Sequence, residues 1–160
     1  MPFDSLGEAQ AEAARLAGVA NLSAIILREV TWTFPELNVP AGLQISTEVS
    51  FSLQGGVAPG NVFYRVTADV RGKVSGFEEL FKLNVTYQLV FVTPDGEEFT
   101  IREIEAYGSA SVLFMVYPYF RETLQDIGGR SGLPGLLLQP LKIPFGDQQS
   151  AEFEMENSDS

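Results

Sequence analysis

Three consecutive segments of the chain alternate strictly between apolar and polar residues. They cover 43–53, 62–74 and 80–92, and a less regular fourth segment covers 22–34. Alternation with a period of two is typical of antiparallel strands that bury one face, whereas buried parallel strands are apolar throughout. The connecting segments are short and rich in Gly and Pro, which leaves no room for crossover helices. Residues 22–92 therefore predict a four-stranded antiparallel sheet, either a meander or a Greek key.

The fourth segment, 22–34, is the least regular of the four strand signals. An alternating pattern assigns its large apolar residues to one face and its polar residues to the other. The apolar face consists of Ile26, Val30, Trp32 and Phe34, and the polar face of Ser23, Glu29, Thr31 and Thr33. We therefore expect one apolar and one polar face in this strand as well.

Helix signals flank the strands on both sides. Residues 5–20 are rich in Ala, Glu and Gln, and Ser5 with Glu8 has the spacing of a capping box, so this segment predicts a short helix with a thin apolar face. After the last strand, Thr100 and Glu103 repeat the same spacing and predict a second short helix. The fold class predicted from these signals is α+β.

A longer helix follows the second capping box. It restarts at Ser109 or Ser111 and ends at the Gly pair 128–129, with Pro118 inside the run as a kink or a first-turn residue. Nearly its whole circumference is apolar between 112 and 120, whereas a helix docked on one sheet needs a single apolar stripe. One small sheet cannot cover both sides, so we expect a second subunit or a ligand to cover the rest.

The chain divides into three parts. Residues 1–20 predict a helical N-terminal extension, and 21–146 predict a single domain. Within that domain, 131–145 is an apolar loop whose three prolines preclude both a regular helix and a central strand. The tail 147–160 carries five acidic residues and no basic residue, which predicts disorder.

The composition removes several classes of function. The net charge is −11, which argues against nucleic acid and anionic membrane surfaces as partners. The chain contains no His and no Cys, so nucleophile systems, metal sites and redox chemistry built on those residues are excluded. The first residues lack the regions of a signal peptide, and no window is apolar for the length of a membrane span. We expect a cytoplasmic protein without a metal or cofactor.

The most informative stretch is Tyr-Pro-Tyr-Phe-Arg-Glu at 117–122, followed by Gly-Leu-Pro-Gly-Leu-Leu-Leu-Gln-Pro-Leu at 132–141. This combination resembles the SecB family of export chaperones, whose members carry an aromatic-Pro-Tyr-x-Arg-Glu stretch on their long helix and then a Gly-x-x-Pro-x-Leu-x-Leu-x-Pro run that leads into a lid. The resemblance spans 22–145. The Ala-rich N-terminal helix is similar to that of SecB-like chaperones associated with toxin–antitoxin systems. Typical members carry a second helix after the lid, and the prolines of 131–145 and the acidic tail lead us to expect none here.

The resemblance implies a non-enzymatic, ATP-independent chaperone that holds unfolded or extended polypeptides, either for export or for a specific client such as an antitoxin. It also implies a homotetramer built as a dimer of dimers, and contact with the translocase motor SecA in the export role. The residues expected to line the client grooves are Trp32, Tyr117, Leu133, Leu136, Leu138 and Leu141. The residues expected at the oligomer interface are Val112, Met115, Val116, Tyr119 and Phe120.

Other classes remain open from the residues alone. A curved sheet and a helix could enclose one apolar pocket for a small ligand. A carboxylate-based enzyme could use the cluster of acidic residues that follows the last strand, namely Glu97, Glu98, Glu103 and Glu105. A structural adaptor would instead use the N-terminal helix to dock a single partner.

Overall fold

Four antiparallel strands form the centre of the fold, in the spatial order β1-β4-β3-β2. They are β1 (Asn21–Thr33), β2 (Ser46–Ala58), β3 (Asn61–Val74) and β4 (Phe77–Val92). Because β1 lies beside β4 rather than beside β2, the connection is that of a Greek key, one of the two predicted topologies. The computed structural model describes residues 3–34, 45–74, 77–133 and 151–155.

A fifth strand, β5 (Ala151–Met155), runs parallel to β2 at the edge of the sheet opposite β1. Its presence differs from the disorder predicted for 147–160 over those five residues. The rest of that tail lies outside the described residues.

The predicted alternation describes the inner face of the sheet, which packs against the helices. Twelve inner-face side chains of the three regular strands are less than 8% exposed, whereas the residues between them are more open. They are Phe51 and Leu53 on β2, Val62, Tyr64, Val66, Ala68 and Val70 on β3, and Leu83, Val85, Tyr87, Leu89 and Phe91 on β4. The prediction for these strands is confirmed, because one face of each is covered by a second layer.

The C-terminal helix runs without a break from the second capping box. It consists of α2 (Ile101–Tyr107), a π-helical segment (Gly108–Val112) and α3 (Leu113–Arg130). The predicted capping box is formed, since Thr100 and Glu103 each accept a hydrogen bond from the other's backbone N–H. The sequence predicted a restart of the helix at Ser109 or Ser111, and these residues lie in the π-helical segment. A wider turn therefore replaces the predicted interruption.

The end of α3, at Arg130, lies one residue beyond the predicted Gly pair. Helix C-termini commonly need a residue with positive φ, and here Gly132 adopts φ +79°. The N–H of Leu133 then donates to the carbonyl oxygen of Gly128 at 2.7 Å, which satisfies a terminal carbonyl. Pro118 lies inside α3.

The helix layer is anchored on β2, β3 and β4. The ring centroid of Phe120 on α3 lies 5.8 Å from that of Phe51 on β2 and 5.3 Å from that of Tyr87 on β4. On β3, the buried Tyr64 hydroxyl donates to the carbonyl oxygen of Ile104 on α2 at 2.7 Å. Three strands are therefore tied to the helices by side chains, and β1 lies beside them at the edge.

Helix α1 (Leu6–Val19) begins where predicted and packs against α2. Ser5 caps it, since the Ser5 hydroxyl oxygen accepts from the N–H of Glu8 at 3.1 Å. Its thin apolar face is buried through Ala9, Ala13 and Leu16. The N-terminal extension therefore belongs to the same helix layer as α2 and α3.

Candidate functional site: an apolar surface along β1 and α3

The inner face of β1 is apolar but largely uncovered. Two irregularities in the pairing with β4, between Leu22 and Ala24 and between Leu27 and Glu29, set which residues occupy that face. The residues opposite the buried row of β4 are Leu22, Ile25, Leu27, Val30 and Trp32. Three of them remain exposed, at 46% for Leu22, 49% for Leu27 and 38% for Val30. Large apolar side chains at this exposure, side by side on one strand, form a patch that needs an explanation.

This arrangement corrects the predicted face of the strand. The sequence placed Ile26, Val30, Trp32 and Phe34 together, but Ile26 pairs with Gln88, a residue of the outer face. Each bulge inserts an extra residue and therefore reverses the phase of the alternation. Leu27 was missed for that reason, whereas the two reversals together return Leu22 to the phase of Val30. The signal that could have found Leu27 is the presence of apolar residues in both phases of the segment, which an unbroken alternation does not explain.

The exposed side of α3 continues the patch. Met115 and Tyr119 lie one turn apart and are 37% and 40% exposed, and Phe114 beside them is 42% exposed. The Tyr119 ring centroid lies 5.8 Å from that of Tyr87, whose backbone partner on β1 is Leu27. The two elements are thus joined through Tyr87. We call the surface formed by Leu22, Leu27, Val30, Met115 and Tyr119 the β1–α3 surface.

Only part of the predicted oligomer interface lies on this surface. Val112, Val116 and Phe120 are 0%, 0% and 1% exposed and belong to the core of their own protomer. They are not available to a partner, because their side of the helix packs on the sheet. Met115 and Tyr119 are the predicted interface residues that remain open. The helix therefore has an apolar buried side and an apolar exposed side, as its all-round apolar character predicted.

The predicted client-binding residues do not form one cluster. Trp32 is half-buried near the end of β1 and stacks on Phe81, with ring centroids 5.0 Å apart. Tyr117 on α3 is buried against β2, where its ring centroid lies 5.9 Å from that of Phe51. Leu133 is buried in the core after α3. Leu136, Leu138 and Leu141 lie outside the described residues.

The acidic cluster after β4 holds α1 in place. Arg15 on α1 donates to both carboxylate oxygens of Glu103, at 2.6 and 2.8 Å, and also to Glu97 at 3.1 Å and to the carbonyl oxygen of Glu98 at 2.6 Å. The Arg15 hydrogen bond holds the pKa of Glu103 at about 2, below its ordinary value of 4.5. A carboxylate fixed in this way stays ionised and is unsuited to general acid catalysis at neutral pH.

A second arginine repeats this clamp from the opposite direction. Arg102 on α2 reaches Glu8 and Glu12 on α1 at 3.3 and 3.5 Å, and its guanidinium carbon lies 4.9 Å from the centroid of the buried Phe3 ring. The α1–α2 contact therefore combines a buried apolar centre with ion pairs at its rim. By contrast, the β1–α3 surface carries apolar side chains without a covering element among the described residues.

The space between sheet and helices is filled by aromatic rings. Tyr107 packs against Phe91 and Tyr64 with centroid distances of 5.3 and 6.2 Å. An open groove of about 550 Å³ lies elsewhere, at the end of the sheet, between the β2–β3 turn and the loop after β4. One predicted alternative was an apolar pocket between sheet and helix. Around Tyr107, side chains fill the space that such a pocket would need.

A Greek-key sheet covered by one helix layer, with apolar side chains left exposed on β1 and α3, defines an α+β fold. No family model matches the chain, and no curated protein matches it. Among solved structures, the chain is similar to the Mycobacterium tuberculosis SecB-like chaperone Rv1957, in complex with a ChAD peptide from the antitoxin HigA1. The identity is 27%, the match covers 83% of this chain and 98% of that chain, and the TM-score is 0.70.

The predicted resemblance to SecB is confirmed by this match, and the fold is that of a SecB-like chaperone. A protein of unknown function from Streptococcus agalactiae matches at 12% identity over 75% of this chain and 96% of that chain, with a TM-score of 0.39 that is too low to carry an argument. In the part of the chain that the structure describes, each helix is too short or too polar to cross a membrane.

Proposed function

We propose that this protein is an ATP-independent chaperone that assembles into a homotetramer and holds extended or unfolded polypeptides in the cytoplasm. The observation that carries the proposal is the β1–α3 surface, an apolar face left open on a fold whose interior is already filled. The similarity to a SecB-like chaperone bound to an antitoxin peptide supports the same role. The ion pair of Glu103 with Arg15 removes one carboxylate of the acidic cluster from general acid catalysis.

The β1–α3 surface fits the interface between two protomers. Its five side chains are about half exposed, and complete burial of each would contribute about half of the usual 1.5–3 kcal/mol. The gain is therefore roughly 4–7 kcal/mol per protomer, and twice that in a symmetric interface where both copies contribute. Such a gain is enough to offset the entropy of association at the lower end of its range. Pairing through this surface gives the dimer from which a dimer of dimers is built.

The client class follows from the same comparison. The similar chaperone holds a segment of an antitoxin, so we propose that this chain serves a toxin–antitoxin system in preference to general export. Export through SecA is the less supported role. Because the proposed chaperone uses no ATP to release its clients, each client must bind reversibly. Several grooves of one tetramer then act together to raise avidity.

The test compares Leu27→Glu, on the β1–α3 surface, with Thr31→Glu on the outer face of the same strand. Both positions are exposed in the protomer, so each variant adds one charge without entering the core. Light scattering should give four times the 17.5 kDa protomer mass for the wild type and for Thr31→Glu, and a smaller species for Leu27→Glu.

The same three proteins are then assayed for suppression of aggregation of a reduced, unfolding client. We expect Leu27→Glu to need about tenfold more protein than Thr31→Glu, because separated protomers lose avidity. A wild type that is a monomer and leaves aggregation unchanged would contradict the proposed function. Tight capture of a single folded partner without suppression of aggregation would point to the adaptor role instead.

A further inference from the structure

The edge strand β2 carries a short segment of the chain's own C-terminal part. Five residues of β5 pair with β2 in parallel, with Ala151 opposite Phe51 and Met155 opposite Gly55. β2 itself is thirteen residues long and is paired along its whole length with β3 on the other side. β5 therefore covers only part of an edge whose N–H and C=O groups need partners.

The rest of this edge is open in the part of the chain that the structure describes. Residues Ser46 to Ser50 of β2 pair with β3 alone. A strand edge with free donors and acceptors is a template for another extended chain, which is the basis of recognition by strand addition. The pairing of β5 with β2 is also weak, because parallel pairing is less stable per residue than antiparallel pairing and a five-residue strand contributes little stability.

The inner face beside this edge is suited to apolar residues at alternate positions. Phe51 and Leu53 are 6% and 2% exposed, and Phe51 contacts Tyr117 of α3, a residue that the sequence predicted for client binding. The register places 151 and 153 of the segment Ala-Glu-Phe-Glu-Met opposite Phe51 and Leu53. The backbone register thus brings alternate residues of an extended segment next to the buried apolar residues of β2.

We infer that the β2 edge is a strand-addition site for extended client segments, and that β5 occupies it as an internal competitor. The inference rests on the proposed chaperone function and adds to it the place and the mode of client capture. A client must displace β5, so the apparent affinity is the intrinsic affinity multiplied by the fraction of molecules in which the edge is open. Displacing β5 costs free energy, which favours client segments that form a longer or better-matched ladder with β2.

The test uses the full chain with the double substitution Glu152→Pro and Phe153→Pro. Two adjacent prolines remove consecutive N–H groups and so disrupt the ladder whichever of them faces β2. Ser158→Pro, beyond β5, is the matched control. Binding of fluorescently labelled, reduced and carboxymethylated α-lactalbumin, which stays unfolded, is measured by anisotropy. We expect the double variant to bind at least about fivefold more tightly than the wild type and the control.

Hydrogen exchange supplies a second measurement that also works on the wild type. In the free wild type, amides in 51–55 and 151–155 should be protected. Client binding should preserve protection in 51–55 while 151–155 becomes fast, because one strand replaces the other. In the double variant, the amides of 51–55 that face β5 should be fast until the client is added, whereas those that donate to β3 should stay protected.

The outcomes separate the two proposals. Equal affinities within about twofold, together with unchanged protection of 151–155 in the client-bound wild type, would overturn the strand-addition site while leaving the chaperone function intact. Failure of the wild type and of both variants to bind the client would overturn the proposed function itself, and the strand-addition site with it. A tighter double variant with exchange of protection between the two segments supports the inference.

Discussion

The neighbouring strands β4 and β1 both have apolar inner faces, but only the inner face of β4 is buried. Leu89 on β4 is fully buried. Leu27 on β1 lies opposite Tyr87, the next inner-face residue of β4, and is 49% exposed. The difference lies in the helix layer, whose anchors are Phe51, Tyr64 and Tyr87 on the other three strands. An apolar row becomes core only where a second layer covers it, and otherwise it remains a surface for other chains.

Leu89→Ala should produce the largest effect, because it creates a cavity in the covered part of the sheet. We expect a loss of about 2–5 kcal/mol in the free energy of unfolding, measured by urea denaturation. The loss should be independent of protein concentration, since Leu89 contacts only its own protomer's core. A loss below about 1 kcal/mol would mean that β4 is covered no better than β1.

Glu103→Gln should have a smaller effect and tests whether α1 helps to hold the helix layer over β4. Gln can still close the capping box, so the substitution removes mainly the ion pair with Arg15. Arg15 is about half exposed, and solvent screening limits the expected loss to about 1 kcal/mol. Urea denaturation at neutral pH measures it, with Glu98→Gln as a control because only the backbone of Glu98 contacts Arg15.

The ion pair also predicts a pH dependence. The pKa of Glu103 is about 2 in the folded protein and 4.5 ordinarily, so its stabilisation is complete above pH 4.5 and is lost as the pH falls towards 2. The difference in stability between the wild type and Glu103→Gln should therefore be constant near neutrality and shrink in that acidic window. A difference that persists unchanged to pH 2 would contradict the assigned role of the charge.

Leu27→Ala should have the smallest effect on an isolated protomer. Because half of the side chain is already in water, we expect less than about 1 kcal/mol when unfolding is measured at high dilution. If the β1–α3 surface joins protomers, the effect should grow with protein concentration, unlike that of Leu89→Ala. An effect of the same size at all concentrations would separate this surface from assembly.

Much of the fold could be predicted because its signals are local. The alternation of β3 and β4 identifies their buried faces residue by residue, and the spacing of Thr100 and Glu103 identifies the start of α2. These patterns depend only on backbone periodicity and on the hydrogen-bonding needs of a helix end. The SecB-like motif at 117–122 was equally local, and the structural comparison confirms the resemblance.

The candidate site was harder to predict because it depends on departures from those patterns. The bulges in β1 place Leu27 on the inner face and Ile26 on the outer one. The apolar circumference of α3 correctly indicated surplus surface, but it could not distinguish Val116, which is core, from Met115, which is open. That distinction depends on which side of the helix is turned towards the sheet.

The sequence by itself determined the strands, the helix starts and an excess of apolar side chains, because periodicity, capping and composition act within a few neighbouring residues. Only the tertiary structure decided that the helix layer covers β2, β3 and β4 and leaves β1 open, and that Ala151–Met155 pairs with the edge of β2. The physical reason is that coverage and edge pairing join residues distant in sequence. Their outcome is set by which surfaces can be buried together, rather than by the preference of any one segment.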